Sequence, residues 1–200
     1  MVTITHVMEA MGVGRTAAYR RVAACVEGGL LERIELLRSE PSILRATRDG
    51  LRYAGLGLPV AAVSPGEVPH SLRCASVALG LVRRFGHRRV LTERELALAE
   101  RIEGRPIASA EVGALPNGNP RLHRPDLAVL AKSGTIAVEV ELSPKAPRRL
   151  EALLRAWRRA SWVAEVHYFC RPGPTQRGVE RALAKTRTED KIAVIEGVPR

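Results

Sequence analysis

Three carboxylates, Asp126, Glu139 and Glu141, lie in one stretch, LHRPDLAVLAKSGTIAVEVELSPK, residues 122–145. The apolar pattern around them predicts a β-hairpin, with strands over residues 126–131 and 135–142. Ile136, Val138, Val140 and Leu142 then share one face, and Glu139 and Glu141 the other. The turn sets the register. With Lys132-Ser133 as a two-residue loop, Ala131 pairs with Gly134 and Asp126 falls opposite Glu139. With Ser133-Gly134 as the loop, Asp126 falls opposite Glu141. Either way an acid faces an acid at roughly 4.5–5.5 Å between Cα atoms. Like charges directly opposite are destabilising. A hard divalent cation, which takes oxygen ligands, would offset them. The blander alternative is an edge hairpin whose acids face water and keep it soluble. The near-continuous apolar runs favour a more buried sheet.

The neighbouring segments must position this hairpin. Residues 146–161 read as an amphipathic helix, with Leu150, Leu153, Leu154 and Trp157 inward and Arg148, Arg155, Arg158 and Arg159 outward. A basic helix beside carboxylates suits a phosphate backbone. Residues 71–85 form a helix burying Leu72, Ala75, Val77, Leu79 and Val82. Thr92 starts the next helix, and Glu95 at its third position completes a capping box. Glu95, or its neighbour Glu93, is also the acid that a helix could add to a metal site. Strands are predicted over residues 107–112, 163–170 and 191–196, and a helix over 178–185. That order gives an α/β (α+β) domain with a mixed sheet over residues 70–200. A second metal reading, zinc on His123, His167 and Cys170, is weaker, since His and Cys near a strand more often pack than ligate.

Upstream, Thr3 or Thr5 caps a short helix carrying Val7, Met8 and Met11. Gly12-Val13-Gly14 breaks it, and residues 15–27 resume with Ala18, Val22, Cys25 and Val26 inward. This is a helix-turn-helix. Its other face presents Arg15, Thr16, Tyr19 and Arg20, which have the reach that phosphates and base edges require. Strands over residues 30–37 and 43–47 would make a wing carrying Arg38, and Thr47 caps one more short helix. Residues 1–58 therefore read as a winged helix-turn-helix domain. A standard version has a further helix before Val2, so either the start is trimmed or another segment covers that face. Residues 59–69 read as a linker.

The formal charge is +11, and Arg supplies nearly all of the basic excess. Arg offers a planar donor fork suited to phosphate, which points to nucleic acid before an anionic membrane. Residues 1–60 hold eight Arg against six acids, so most of the charge lies downstream. Apolar residues make up 46% of the chain, enough for a core. Three dispersed cysteines exclude a disulfide framework and fit a reducing compartment. The expectation is a cytoplasmic protein without a membrane span.

Pro125-Asp126 followed by Glu139-Val140-Glu141 resembles the PD-(D/E)XK nuclease superfamily, with its restriction-endonuclease-like αβββαβ fold. Glutamate stands at position 141 where that pattern usually has lysine, and Lys145 looks like a migrated lysine. The chain also resembles the replication-relaxation family of bacterial plasmids and mobile elements. ATRDGLRYAGL, the His70-Ser-Leu helix start, TERELALAE, HRPDLAVL, VEVELSPK and RRLEALLRAW carry that resemblance. It implies a protein that binds double-stranded DNA in replication, transfer or its control. Replication or transfer proteins would be its partners, and a homodimer is compatible. The superfamily resemblance implies a DNA endonuclease in which Asp126 and Glu139 hold Mg2+ (or Mn2+), with Glu95 as a further ligand. Glu141 or Lys145 would act on the attacking water. Arg15, Thr16, Tyr19, Arg20 and Arg38 would contact DNA, with Arg148 and Arg155 on the later helix. The alternative is a non-catalytic regulator or replication accessory with a degenerate nuclease-like domain.

Overall fold

Gly12 adopts φ 60° and ends the first helix, α1 (Ile4–Met11), by the left-handed route open to glycine. After the short turn, α2 (Arg15–Glu27) buries Ala18 and Val22. A computed structural model describes residues 1–36 and 41–197. In it, β1 (Leu31–Ile34) and β2 (Ile43–Ala46) pair antiparallel, and Val2 adds a bridge to Leu44. The wing position Arg38 lies outside the described residues. α3 (Arg48–Tyr53) follows, and the Thr47 hydroxyl accepts from the Gly50 amide at its start.

His6 links α1 to a later segment. Its Nδ1 accepts from the Thr3 amide at 3.2 Å, which leaves Nε2 to donate, 3.2 Å from the Leu72 carbonyl and 3.0 Å from Ser76 Oγ. Both partners lie on α4 (Val68–Phe85). This helix begins three residues earlier than its apolar pattern predicts. Pro69 sits in the first turn, where a missing N–H costs nothing.

The chain divides into two compact units, Met1–Leu79 and Gly80–Arg200, with the division inside α4. The second unit is a mixed α/β fold. Its main sheet has five strands, β3 (Val90–Thr92), β6 (Leu127–Ala131), β7 (Gly134–Glu141), β8 (Val163–Cys170) and β9 (Ile192–Val194), side by side in that order. β6 runs antiparallel to β3 and β7, whereas β7, β8 and β9 are parallel. Parallel neighbours need crossovers. These are α6 (Pro147–Arg159) and α7 (Pro174–Thr186). α5 (Glu93–Glu103) follows β3 directly, and β4 (Ala110–Ala114) and β5 (Pro120–His123) form a separate hairpin. β3 and β5 are absent from the sequence expectation because each is too short to show an alternation.

Leu150, Leu153, Leu154 and Trp157 of α6 pack with Ala137, Val166 and Tyr168 of the sheet. On its opposite face Leu127, Val129, Ile136, Val138 and Val140 are also buried. β6 and β7 are thus interior strands covered on both sides, not an edge hairpin. Among the described residues, no helix is long and apolar enough to cross a membrane.

Glu100 of α5 shows how a buried acid is used structurally. One oxygen accepts from the amides of Ile107, Ala108 and Ser109 at 3.0–3.3 Å. The other accepts from Ser109 Oγ at 2.7 Å and Arg124 Nε at 3.2 Å. Burial opposes the charge most strongly, but these hydrogen bonds together hold its pKa below the ordinary value.

Two outcomes follow from the packing. A Cβ at Gly50 would stand 2.0 Å from the Leu30 carbonyl oxygen. Gly50→Ala should therefore destabilise the first unit by about 1–3 kcal/mol in urea unfolding, as overpacking does. Glu100 has a depressed folded pKa, so its contribution is complete above the unfolded value of about 4.3. It is lost as pH falls through the folded value. Glu100→Gln should cost roughly 1.5–3 kcal/mol at pH 7. The difference from wild type should narrow in unfolding titrations run toward acid pH.

Candidate functional site

The hairpin turn is Lys132-Ser133, because Ala131 pairs with Gly134 and Leu127 with Val138. Continuing that register sets Asp126 across from Glu139, the first of the two alternatives. Asp126 Oδ2 accepts from the Val140 amide at 2.7 Å, fixing the carboxylate at the end of β7. Continuing the β3–β6 register likewise sets Glu93 across from Asp126. The Glu93 amide donates to the Asp126 carbonyl at 3.0 Å. Three consecutive segments thus bring Glu93, Asp126 and Glu139 into one row.

Glu139 and Glu141 are 3% and 6% exposed. They share a face with Ala137, the face against α6. Neither acid is left alone. His123 Nε2 lies 2.7 Å from Glu139 Oε1. The Lys145 ammonium pairs with Glu141. Burial works downward on the Lys145 pKa, but Glu139, Glu141 and Asp126 outweigh it and raise the value above normal. Lys145 is therefore protonated at neutral pH. Burial, then Asp126, raises the Glu93 pKa, with Glu139 adding and Arg124 and His123 opposing. His123 also meets Trp157 edge-on, with ring centroids 5.8 Å apart.

Tyr168 and Cys170 pair with Glu139 and Glu141 across the parallel ladder. Burial pushes the Tyr168 phenol far up, with the two glutamates adding to it. Its hydroxyl and the Trp157 indole N–H are buried without a hydrogen-bond partner among the described residues. Burial, with help from Glu141, pushes the Cys170 thiol up to about 12, so it is inert at neutral pH. His167 pairs with Val138, on the other face of the sheet, and lies 2.8 Å from Glu165. The zinc set of His123, His167 and Cys170 is therefore split between two faces.

Glu95 does not join the row. Its Oε2 accepts from the Thr92 amide and hydroxyl at 2.8 and 2.7 Å. It serves the capping box, and Glu93 is the helix acid coupled to Asp126. The choice between them rests on β3, whose three residues leave no period in the sequence.

A cleft of about 530 Å3 opens beside the row, with Arg121, His123, Lys145 and Arg149 among its walls. His123 and Lys145 belong to both cleft and acid cluster. Arg148 and Arg155 are exposed on α6, and Arg155 pairs with Glu151 at 3.4 Å. Arg121 and Arg149 were missed because the helical wheel marks only a solvent face and β5 has no visible pattern. In the first unit, Arg15, Thr16, Tyr19 and Arg20 are all exposed along one side of α2.

Among the described residues, no three acids of the row bring their oxygens within one metal's reach, while the adjoining cations of the cleft can take an anion. Lys145→Met would leave Glu141 buried without its counter-charge. Such losses cost about 3–5 kcal/mol, which urea unfolding at pH 7 should reveal. Because the folded Lys145 pKa is raised, its contribution is complete below about 10.4, the unfolded value. It should disappear as pH rises through the folded value. Comparisons of the chain with protein-family models, with curated proteins and with solved structures find no match.

Proposed function

We propose that the chain is a DNA-binding, Mg2+-dependent phosphodiester hydrolase. The observation that carries this reading is the burial of Glu139 and Glu141 on the sheet's inner face, with Glu139 across from Asp126 and with their partners His123 and Lys145 lining a cationic cleft. Fully buried carboxylates are rare unless paired or ligating. The donor set is all oxygen, which fits Mg2+ or Mn2+ and not a soft metal. The raised Glu93 pKa, caused first by burial and then by Asp126, also fits, since a nearby cation would favour the charged form.

Asp126 and Glu139 would hold the ion. Bound there, the ion would lower the pKa of the attacking water and offset charge on the scissile phosphate. Lys145 carries its proton at neutral pH, so it does not act as a base. It balances charge, while its ion pair with Glu141 orients it. The Val140 amide keeps Asp126 in place. The antiparallel β6–β7 pair followed by the crossover helix α6 and a parallel β8 supports a restriction-endonuclease-like core for this unit. In the first unit, two helices about a glycine turn, followed by a β-pair, support a winged helix. There Arg15, Thr16, Tyr19 and Arg20 would meet duplex DNA. The order of motifs supports a setting in mobile-element or plasmid replication, transfer or its control.

One observation favours a second reading, an inert nuclease-like domain in a DNA-binding regulator. His123 hydrogen-bonds Glu139 and Lys145 pairs with Glu141, so both buried acids have partners within the chain. A supercoiled-plasmid nicking assay with Mg2+ or Mn2+ separates the two. Wild type should nick, and Asp126→Ala and Glu139→Ala should not. Equal nicking by all three would mean a contaminant and end the hydrolase reading. DNA affinity should fall with salt by about 0.9 in log–log slope per phosphate neutralised, and Arg15→Ala/Arg20→Ala should flatten that slope.

A further inference from the structure

The cleft near the acids has two kinds of lining: the cationic side chains Arg121 and Arg149, and the apolar side chains Leu122, Ala152 and Leu153. Several arginines elsewhere in this unit are committed: Arg124 to Glu100, Arg155 to Glu151, Arg158 to the Arg187 carbonyl and Arg159 to the Glu111 carbonyl. Arg121 and Arg149 are exposed and have no such partner among the described residues. Two unneutralised guanidiniums on one cleft are a phosphate-binding arrangement.

The backbone is shaped to present Arg121. The β4–β5 register slips between Glu111 and Gly113, and Gly113 pairs with Arg121 at φ 151°. That φ suits glycine, and the Arg121 guanidinium lies against the bare Cα, 3.9 Å from where a Cβ would stand. Bulges of this kind often re-aim a side chain beside an active site.

Size decides what can enter. At about 530 Å3 the cleft falls in the roughly 300–1,000 Å3 class of small-ligand sites. A nucleotide fits that class. A base-paired duplex does not, because its bases are stacked inside and only its wide outer surface meets the protein. A purely anionic ligand would have no use for Leu122, Ala152 and Leu153. An unstacked base does, since its faces seek apolar or guanidinium planes.

We propose that this cleft binds one unstacked nucleotide of a single DNA strand, with Arg121 and Arg149 on its phosphate and its base against the apolar side chains. The substrate is then DNA with a single-stranded or frayed portion, delivered beside Asp126 and Glu139. This specificity rests on the hydrolase reading, but binding by the cleft is testable without it.

The test uses the full chain in EDTA, where no metal-dependent cleavage occurs. Fluorescence anisotropy follows a labelled twelve-nucleotide single strand and the corresponding duplex. Arg121→Ala/Arg149→Ala removes the cations, and Ala152→Trp fills the cleft while keeping every charge. Each should weaken single-strand binding by about tenfold or more, since stacking is worth roughly 1–3 kcal/mol per base. Duplex affinity should change far less. Parallel losses for duplex and single strand, or unchanged single-strand binding in both variants, would overturn the proposal. If Asp126→Ala nicks plasmid like wild type while the cleft variants lose single-strand binding, the hydrolase reading fails and the cleft assignment stands. If the reverse holds, the cleft assignment fails alone.

Discussion

Strand β7 places two glutamates where a sheet of this kind normally places valine or isoleucine. Removing a carboxylate from water costs several kcal/mol even after relaxation, unless charge and hydrogen bonds compensate. Glu139 and Glu141 meet that cost through His123 and Lys145. The two partners come from opposite directions in the chain, one from β5 and one from the segment leading into α6. The site therefore depends on the β4–β5 hairpin and on α6 both being docked. The large buried side chains on their face, Trp157 and Tyr168, are the apolar mass that keeps water out.

Glu100 offers a contrast within the same unit. It accepts from three backbone amides, a hydroxyl and a guanidinium, and these use its acceptor capacity. Such an acid ties a loop to a helix and has nothing left to offer a ligand. The row of Glu93, Asp126 and Glu139 is different. Burial, and after it Asp126, raises the Glu93 pKa. Complete local satisfaction marks Glu100 as structural, whereas neighbouring acids on adjacent segments mark a functional candidate.

The cations divide in the same manner. Arg155, Arg158 and Arg159 are engaged by acids or carbonyls of their own unit. Lys145 serves the buried acids, while Arg121 and Arg149 face the cleft without partners among the described residues. Net charge alone does not separate these roles. The +11 of the chain indicates attraction to polyanions, but only geometry shows which cations remain available.

Much of this was readable from periodicity and local chemistry. The hairpin, the inward face of α6, the helix caps at Thr47 and Thr92 and the strand at residues 163–170 all follow from alternation, the 3.6-residue period or a capping box. Each of those signals is local, so a single chain carries it. The opposition of Asp126 to an acid was also legible, because turn length restricts register. What tertiary structure decided was the choice between alternatives and the partners from afar. Lys132-Ser133 as the turn set Asp126 against Glu139 and not Glu141. A three-residue β3 brought Glu93, and not Glu95, into the row. His123 reached Glu139 from a short hairpin with a bulge. Short strands carry too few residues to show a period, and contacts distant in sequence leave no mark in it. The residue types of the site were written in the chain, whereas its membership was settled by packing.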